Sequence, residues 1–208
     1  CMDDADTRRG LPACHRVFGE AVAVLAGDWL MTMPFQIVAE CASRGDLSPE
    51  VALAVIREIG NALGSSGMIA GQVLDILHEG KPATEETVDY LYSHKTGALI
   101  TASVRCGGLV SGASPEQMAA LTDYGQALGR AFQIADDILD ATASEAQLGK
   151  PAGSDARRRK ATYLALHGLE AARAEAQRLA QQAQQALRPW CPHSLLVALA
   201  DYAVTRTY

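Results

Sequence analysis

Aromatic residues are scarce in this sequence, 5% of 208 positions, and segments that alternate β-branched with polar residues are nearly absent. Both shortages argue against a sheet protein, whose strands draw on those residues in that pattern. The five cysteines, Cys1, Cys14, Cys41, Cys106 and Cys191, lie far apart, are odd in number and form no CxxC pair. That spacing argues against a zinc site and a disulfide framework, and a reducing, cytoplasmic location is expected. Cationic excess is missing too. The formal net charge is −6, which removes any general electrostatic reason to bind nucleic acid or an anionic membrane. No run approaches the roughly 18 uninterrupted apolar residues of a membrane span, and no basic segment leading into an apolar one marks a signal peptide. The expectation is a soluble protein with one globular domain over residues 1–208, and a hydrophobic content of 49% is ample for its core. The chain opens Cys-Met-Asp-Asp-Ala-Asp, neither a usual initiator nor a natural helix entry, so further N-terminal helices are expected ahead of Cys1.

What is present is helical. Alanine and leucine abound, and apolar residues recur at spacings of three and four, with no convincing strand. Gly27 to Cys41 reads as the end of a long apolar helix that Pro34 kinks or breaks. Ser48-Pro49-Glu50 and Ser114-Pro115-Glu116-Gln117 each place a hydroxyl at the N-cap, proline at the first helical position and an acid in the first turn. Thr84-Glu85-Glu86 is a weaker version, after a turn at Gly80-Lys81-Pro82. The spacing predicts helices over about 48–62, 65–79, 84–110, 114–141, 158–188 and 194–206. Leu169, Ala172, Ala176, Leu179, Ala183 and Leu187 keep helical spacing through an Ala- and Gln-rich segment, which marks a solvated amphipathic helix.

The run Phe132-Gln133-Ile134-Ala135-Asp136-Asp137-Ile138-Leu139-Asp140 holds three acids within an apolar helix. Asp136 and Asp140 stand one turn apart, with Asp137 a residue round, so the three are expected to share one cavity. At an effective dielectric near 20, two carboxylates about 5 Å apart repel by roughly 3 kcal/mol, which calls for bound cations or basic partners. Oxygen-only ligands favour Mg²⁺. A solvated acidic patch is the plainer alternative, but Phe132, Ile134, Ile138 and Leu139 set these acids among core positions. More acids, Asp3, Asp4 and Asp6, precede the pair Arg8 and Arg9, whose forks suit phosphate oxygens. Ser93-His94-Lys95-Thr96-Gly97 puts a lysine into an otherwise apolar helix, where it either meets an anion or snorkels to water. Leu148-Gly149-Lys150 and Lys160-Ala161-Thr162-Tyr163 add basic residues after the acidic helix. Together these features describe a diphosphate held by Mg²⁺ beside a hydrocarbon pocket.

The segments RRGLPACHRVFGEAVAVLAGD, GMIAGQVLDI, HKTGALI, GRAFQIADDILD, LGKPAGSD and KATY, in this order, resemble the trans-isoprenyl diphosphate synthases, the polyprenyl synthetase family, in its short-chain farnesyl and geranylgeranyl group. The resemblance covers the whole chain. It implies an all-α bundle of the isoprenoid synthase type around a central apolar cavity, and a homodimer. It implies condensation of isopentenyl diphosphate with an allylic diphosphate, assisted by Mg²⁺, three ions in all, with Mn²⁺ able to substitute. The implied metal ligands are Asp3, which closes a first acidic motif begun ahead of Cys1, with Asp136, Asp137 and Asp140. Arg8, Arg9, Lys95, Lys150 and Lys160 are the implied diphosphate ligands. Lys95, Thr96 and Gln133 are the implied catalytic residues, and Phe132, Gln72 and Asp75 line the hydrocarbon pocket. Trp29 stands where a small residue is commoner, which suits packing in the dimer or core, or a shortened tunnel. C-terminal Arg206 resembles a basic residue that helps close the site.

Two rivals are a class I terpene cyclase, which carries an Asn-Ser-Glu type second metal motif where this chain has DDILD, and a noncatalytic subunit of a heteromeric synthase, in which one acidic motif is degraded. Products of 15 and 20 carbons both stay open, because the residues that set chain length in the family precede the first acidic motif.

Overall fold

The computed structural model describes residues 1–2, 4–8, 10–142 and 160–206. Asp3, Arg9 and Lys150 lie outside the described residues. Among the described residues, two short strands, β1 (Thr7–Arg8) and β2 (Leu11–Pro12), precede ten α-helices. These are α1 (Cys14–Phe18), α2 (Glu20–Arg44), α3 (Pro49–Leu63), α4 (Met68–His78), α5 (Glu85–Leu91), α6 (Ala98–Val110), α7 (Pro115–Thr142), α8 (Tyr163–His167), α9 (Leu169–Leu187) and α10 (Leu195–Thr205).

The helix starts follow the capping residues. Ser48 accepts from the Val51 amide at 3.3 Å, and Thr84 accepts from the Thr87 amide at 3.2 Å. At the head of α7 the Gln117 amide donates to the Ser114 hydroxyl at 3.3 Å, while the Gln117 side chain accepts from the Ser114 amide at 2.8 Å. This reciprocal box satisfies two orphan donors at once.

Four expectations need correction. The chain does contain strand: β1 and β2 pair antiparallel, Thr7 with Pro12 and Arg8 with Leu11, around Gly10 at φ 76°. Two residues a side are too short to show as alternation in a sequence. The predicted helix over 158–188 is divided in its described part, because Gly168 at φ 80° ends α8 and begins α9. Pro34 does not break α2. Its ring removes the amide partner of the Leu30 carbonyl, but Leu30 is 57% exposed, so water can serve that carbonyl. Finally, α2 is long and apolar enough, by length and composition, to cross a membrane, although its sequence is interrupted by polar residues. Val22, Leu25, Trp29 and Leu30 on it are each at least 50% exposed, so Trp29 is not a core residue.

The core gathers around α7, which packs against α6, α9 and α10. Ala172, Ala176, Leu179, Ala183 and Leu187 form the buried stripe of α9, as their spacing predicts. Small residues let α9 lie close to α7, whose Ala131 and Ile134 are fully buried. Tyr124 is buried below this layer and donates to the Leu196 carbonyl at 2.7 Å, tying α7 to α10. Burial pushes its phenol up to about 12.

Between α5 and α6 the predicted single helix continues, but Tyr92–Gly97 widens into a π-turn. Gly97 in that turn meets Gly129 of α7 backbone to backbone: a Cβ on Gly129 would lie 2.6 Å from the Gly97 Cα. Such widened turns relax the hydrogen-bond ladder and re-aim the side chains that follow.

A bidentate pair fastens α3 to α6. Arg105 donates to Glu58 at 2.9 and 2.8 Å and to the Thr122 hydroxyl of α7 at 2.5 Å. The Arg105 hydrogen bond holds the Glu58 carboxyl below the usual range, against the opposing effect of partial burial. A lowered folded-state value means that this stabilisation is present above the ordinary glutamate range and is lost as pH falls through the folded value. Glu58→Gln should lower stability by about 1–3 kcal/mol at neutral pH. Urea unfolding should show the gap to the unaltered protein narrowing as pH falls below the ordinary glutamate range; a gap independent of pH would contradict the pairing.

Candidate active site

Asp136 and Asp137 of α7 meet different environments. Asp136 has a side chain 45% exposed, at the rim, and accepts from Arg206 Nη2 at 3.2 Å. The same guanidinium lies 4.1 Å from the centroid of the Phe132 ring, one turn back. Asp137 is 4% exposed and Asp140 is 2% exposed. Asp137 accepts from the Tyr92 hydroxyl on one oxygen and from Gln133 Nε2 at 2.9 Å on the other. The expectation that all three share one cavity is therefore corrected. The hundred-degree step between consecutive helical residues turns Asp137 toward the π-turn while Asp136 faces the rim. Among the described residues no cluster of three His, Cys, Asp or Glu side chains is arranged to hold a metal.

The π-turn supplies the facing groups. Thr96 donates to Gln133 Oε1 at 2.6 Å. Lys95 Nζ lies 2.6 Å from Asp75 Oδ2 on α4, and Lys160 Nζ lies 3.5 Å from the same oxygen. Lys95 and Lys160, distant in sequence, are thereby brought together, and neither is a lysine merely snorkelling to water. Asp75 differs from its expected role: its carboxylate is only 10% exposed and serves two ammonium groups, which a hydrocarbon lining would not do. Gln72, one turn earlier on α4, is half-buried. Phe132 packs at the edge of the cluster around Tyr124 and Leu128. Arg8 stands exposed on the hairpin and takes no part in the contacts linking α7, the π-turn and α4.

Sequence reasoning missed Tyr92 and Arg16. Tyr92 is 3% exposed, and its oxygen accepts the Tyr163 amide at 2.7 Å while donating to Asp137. Its signal was a phenol three residues before Lys95, in a helix whose other members are mostly apolar. Arg16 lies 2.8 Å from Asp4 Oδ1 and 2.8 Å from Asp6 Oδ1, so α1 anchors the acids ahead of the hairpin. Two acids followed twelve and ten residues later by an arginine carry no periodicity that would have paired them.

A predominantly helical bundle that superposes on solved prenyl synthases has the isoprenoid synthase class of fold. The family model for polyprenyl synthetases matches residues 1–189, and the chain belongs to that family. It is 44% identical over 210 residues to a farnesyl diphosphate synthase of Escherichia coli, covering 99% of this chain and 70% of that one. It is 42% identical over 209 residues to a chloroplastic geranylgeranyl pyrophosphate synthase of Catharanthus roseus, covering 99% of this chain and 58% of that one. The crystal structure of a Helicobacter pylori geranyltransferase complexed with magnesium and isoprenyl diphosphate superposes with a TM-score of 0.81 at 33% identity, covering 97% of this chain and 65% of that one. The chain thus spans between 58% and 70% of the length of these relatives.

The approach of α4 to the π-turn depends on one glycine. A Cβ at Gly71 would lie 2.4 Å from the Lys95 amide nitrogen, a backbone atom that no rotamer can move. Gly71→Ala should cost about 1–3 kcal/mol by overpacking. Thermal unfolding checks this, and an unchanged midpoint would refute the close approach.

Proposed function

We propose that the complete protein joins isopentenyl diphosphate to an allylic diphosphate, giving farnesyl or geranylgeranyl diphosphate and releasing diphosphate. The observation that carries the reading is one connected set of groups. A rim carboxylate, Asp136, lies on the same helix as Gln133, and Gln133 is bonded to the turn that holds Thr96 and Lys95.

Asp136 belongs to a donor set of oxygens suited to a hard divalent cation, and its pairing with the Arg206 guanidinium shows a carboxylate that already attracts positive charge at the rim. Asp136 and Asp140, with Asp3 of the first acidic motif, would hold Mg²⁺, three ions in all, with Mn²⁺ able to substitute. When bound, the metal neutralises the diphosphate that departs. The protein's own cations act beside it. Lys95 and Lys160, held together by Asp75, and with them Arg8, Arg9 and Lys150, would grip diphosphate oxygens and stabilise the charge that gathers there.

As the allylic C–O bond breaks, its electron pair leaves with the diphosphate. The isopentenyl double bond then attacks the allylic carbon, a C–C bond forms, and a proton is lost to the released diphosphate. Thr96, Gln133 and the Phe132 ring line the place where positive carbon develops. The exposed apolar face of α2, with Leu25, Trp29 and Leu30, is proposed as the surface that pairs with a second copy.

Incubation of the complete protein with labelled isopentenyl diphosphate and dimethylallyl, geranyl or farnesyl diphosphate, followed by sizing of the products, tests activity and chain length together. Elongation to 15 or 20 carbons is expected; no elongation with any primer would refute the proposal. Asp136→Ala should reduce elongation by about 10²-fold or more without changing the far-ultraviolet circular dichroism. Trp29→Glu should shift sedimentation from dimer to monomer.

A further inference from the structure

The hydrogen bonds around Asp137 run in one direction. The Tyr163 amide can only donate, so the Tyr92 oxygen accepts from it at 2.7 Å. The Tyr92 proton then points to Asp137. An ionised carboxylate only accepts, so the amino group of Gln133 must turn toward Asp137, at 2.9 Å, and its carbonyl must turn away. That carbonyl can only accept, so the Thr96 hydroxyl donates to it at 2.6 Å. A threonine hydroxyl has one proton and two lone pairs. With its proton committed to Gln133, Thr96 offers only lone pairs to whatever else lies against it.

We propose that Tyr92 and Asp137 are positioning residues that set this polarity, and that Asp137 acts through Gln133 and Thr96 instead of ligating a metal. The inference rests on the function proposed above, in which positive charge develops on carbon beside Thr96. An oxygen that presents lone pairs stabilises such a centre, and one that presents its proton does not. Asp137 suits the task because it is 4% exposed and both of its oxygens accept hydrogen bonds. Asp136 is the contrasting case, open at the rim and facing a cation. The backbone at Tyr163, the π-turn and α7 are joined by the same relay, so the orientation of Thr96 is built in when these segments pack.

Asp137→Asn removes the constraint with little change in shape. Its amide can donate to the Gln133 carbonyl, which lets Gln133 turn over and donate to Thr96, reversing the hydroxyl. The expected result is a fall in kcat of about tenfold to a hundredfold with KM for both diphosphates within about threefold. Calorimetric titration with Mg²⁺ and inorganic pyrophosphate should give a Kd for Asp137→Asn within about threefold of the unaltered protein, whereas Asp136→Asn should weaken it by more than about tenfold. The decisive measurement is a cycle with Thr96→Val. If Asp137 acts through the Thr96 hydroxyl, Asp137→Asn should lower kcat little further once that hydroxyl is gone.

Additive losses in the cycle would overturn the inference, as would a loss of Mg²⁺–pyrophosphate binding in Asp137→Asn equal to that in Asp136→Asn. Tyr92→Phe keeps the ring and deletes the donor. It runs the same cycle with a smaller expected fall, about tenfold, and carries the test if Asp137→Asn does not fold. Absence of elongation by the unaltered protein sinks the functional reading itself, a result distinct from either of these.

Discussion

A charge placed among apolar side chains must be met by another group, and α7 carries three such charges within five residues. Asp136 and Asp137 are met differently. Asp136 is left at the rim and faced by an arginine, while Asp137 is enclosed and accepts from Tyr92 and Gln133. Asp75 on α4 repeats the first solution with two lysines. The partners come from the π-turn, from the start of α8 and from the end of α10. Pairing the acids therefore fixes where those segments sit. Removing one partner of such a buried pair commonly costs about 3–5 kcal/mol, because the other is stranded. The site and the packing of α7 are consequently one problem, solved by one set of contacts.

Much of the fold was legible because helix starts are written locally. Ser48-Pro49 and Ser114-Pro115 mark α3 and α7 correctly, since a cap and its amide are only three residues apart. The α9 stripe was equally plain from its spacing. The hairpin at Thr7–Pro12 and the split at Gly168 were not, because one is too short for a pattern and the other turns on a single φ. In the site, the residue types were readable but their pairings were not. Lys95 and Lys160 are 65 positions apart in sequence and meet on one oxygen of Asp75. Nothing in local spacing connects them. Tyr92 escaped notice for the same reason: its two partners, Asp137 and the Tyr163 amide, are 45 and 71 residues away.

The outer surface of α2 follows a different rule from α7. Most of its large apolar residues face outward, so its sequence does not show the narrow stripe of a helix lying on a core. Where α7 meets its polar residues with internal partners, α2 buries Val38 against α3 and leaves most of its other large apolar residues exposed. A contiguous exposed apolar face is costly to keep in water, and its natural resolution is another apolar surface. The two helices thus differ in kind, α7 with its polar residues partnered inside the fold and α2 with most of its large apolar residues turned outward.

The scarcity of aromatic residues is part of the same geometry. Gly125 and Gly129 of α7 meet Thr101 and Gly97 so closely that a Cβ on either glycine would lie 2.6 Å from a backbone carbon. Only a contact of that kind lets a short side chain such as Thr96 reach Gln133 across the helix gap at 2.6 Å. Larger residues along this seam would separate the helices by more than a hydroxyl can span. The small side chains that make the sequence look featureless are therefore what permits the π-turn to lie against α7, and with it the polarity that Asp137 imposes on Thr96.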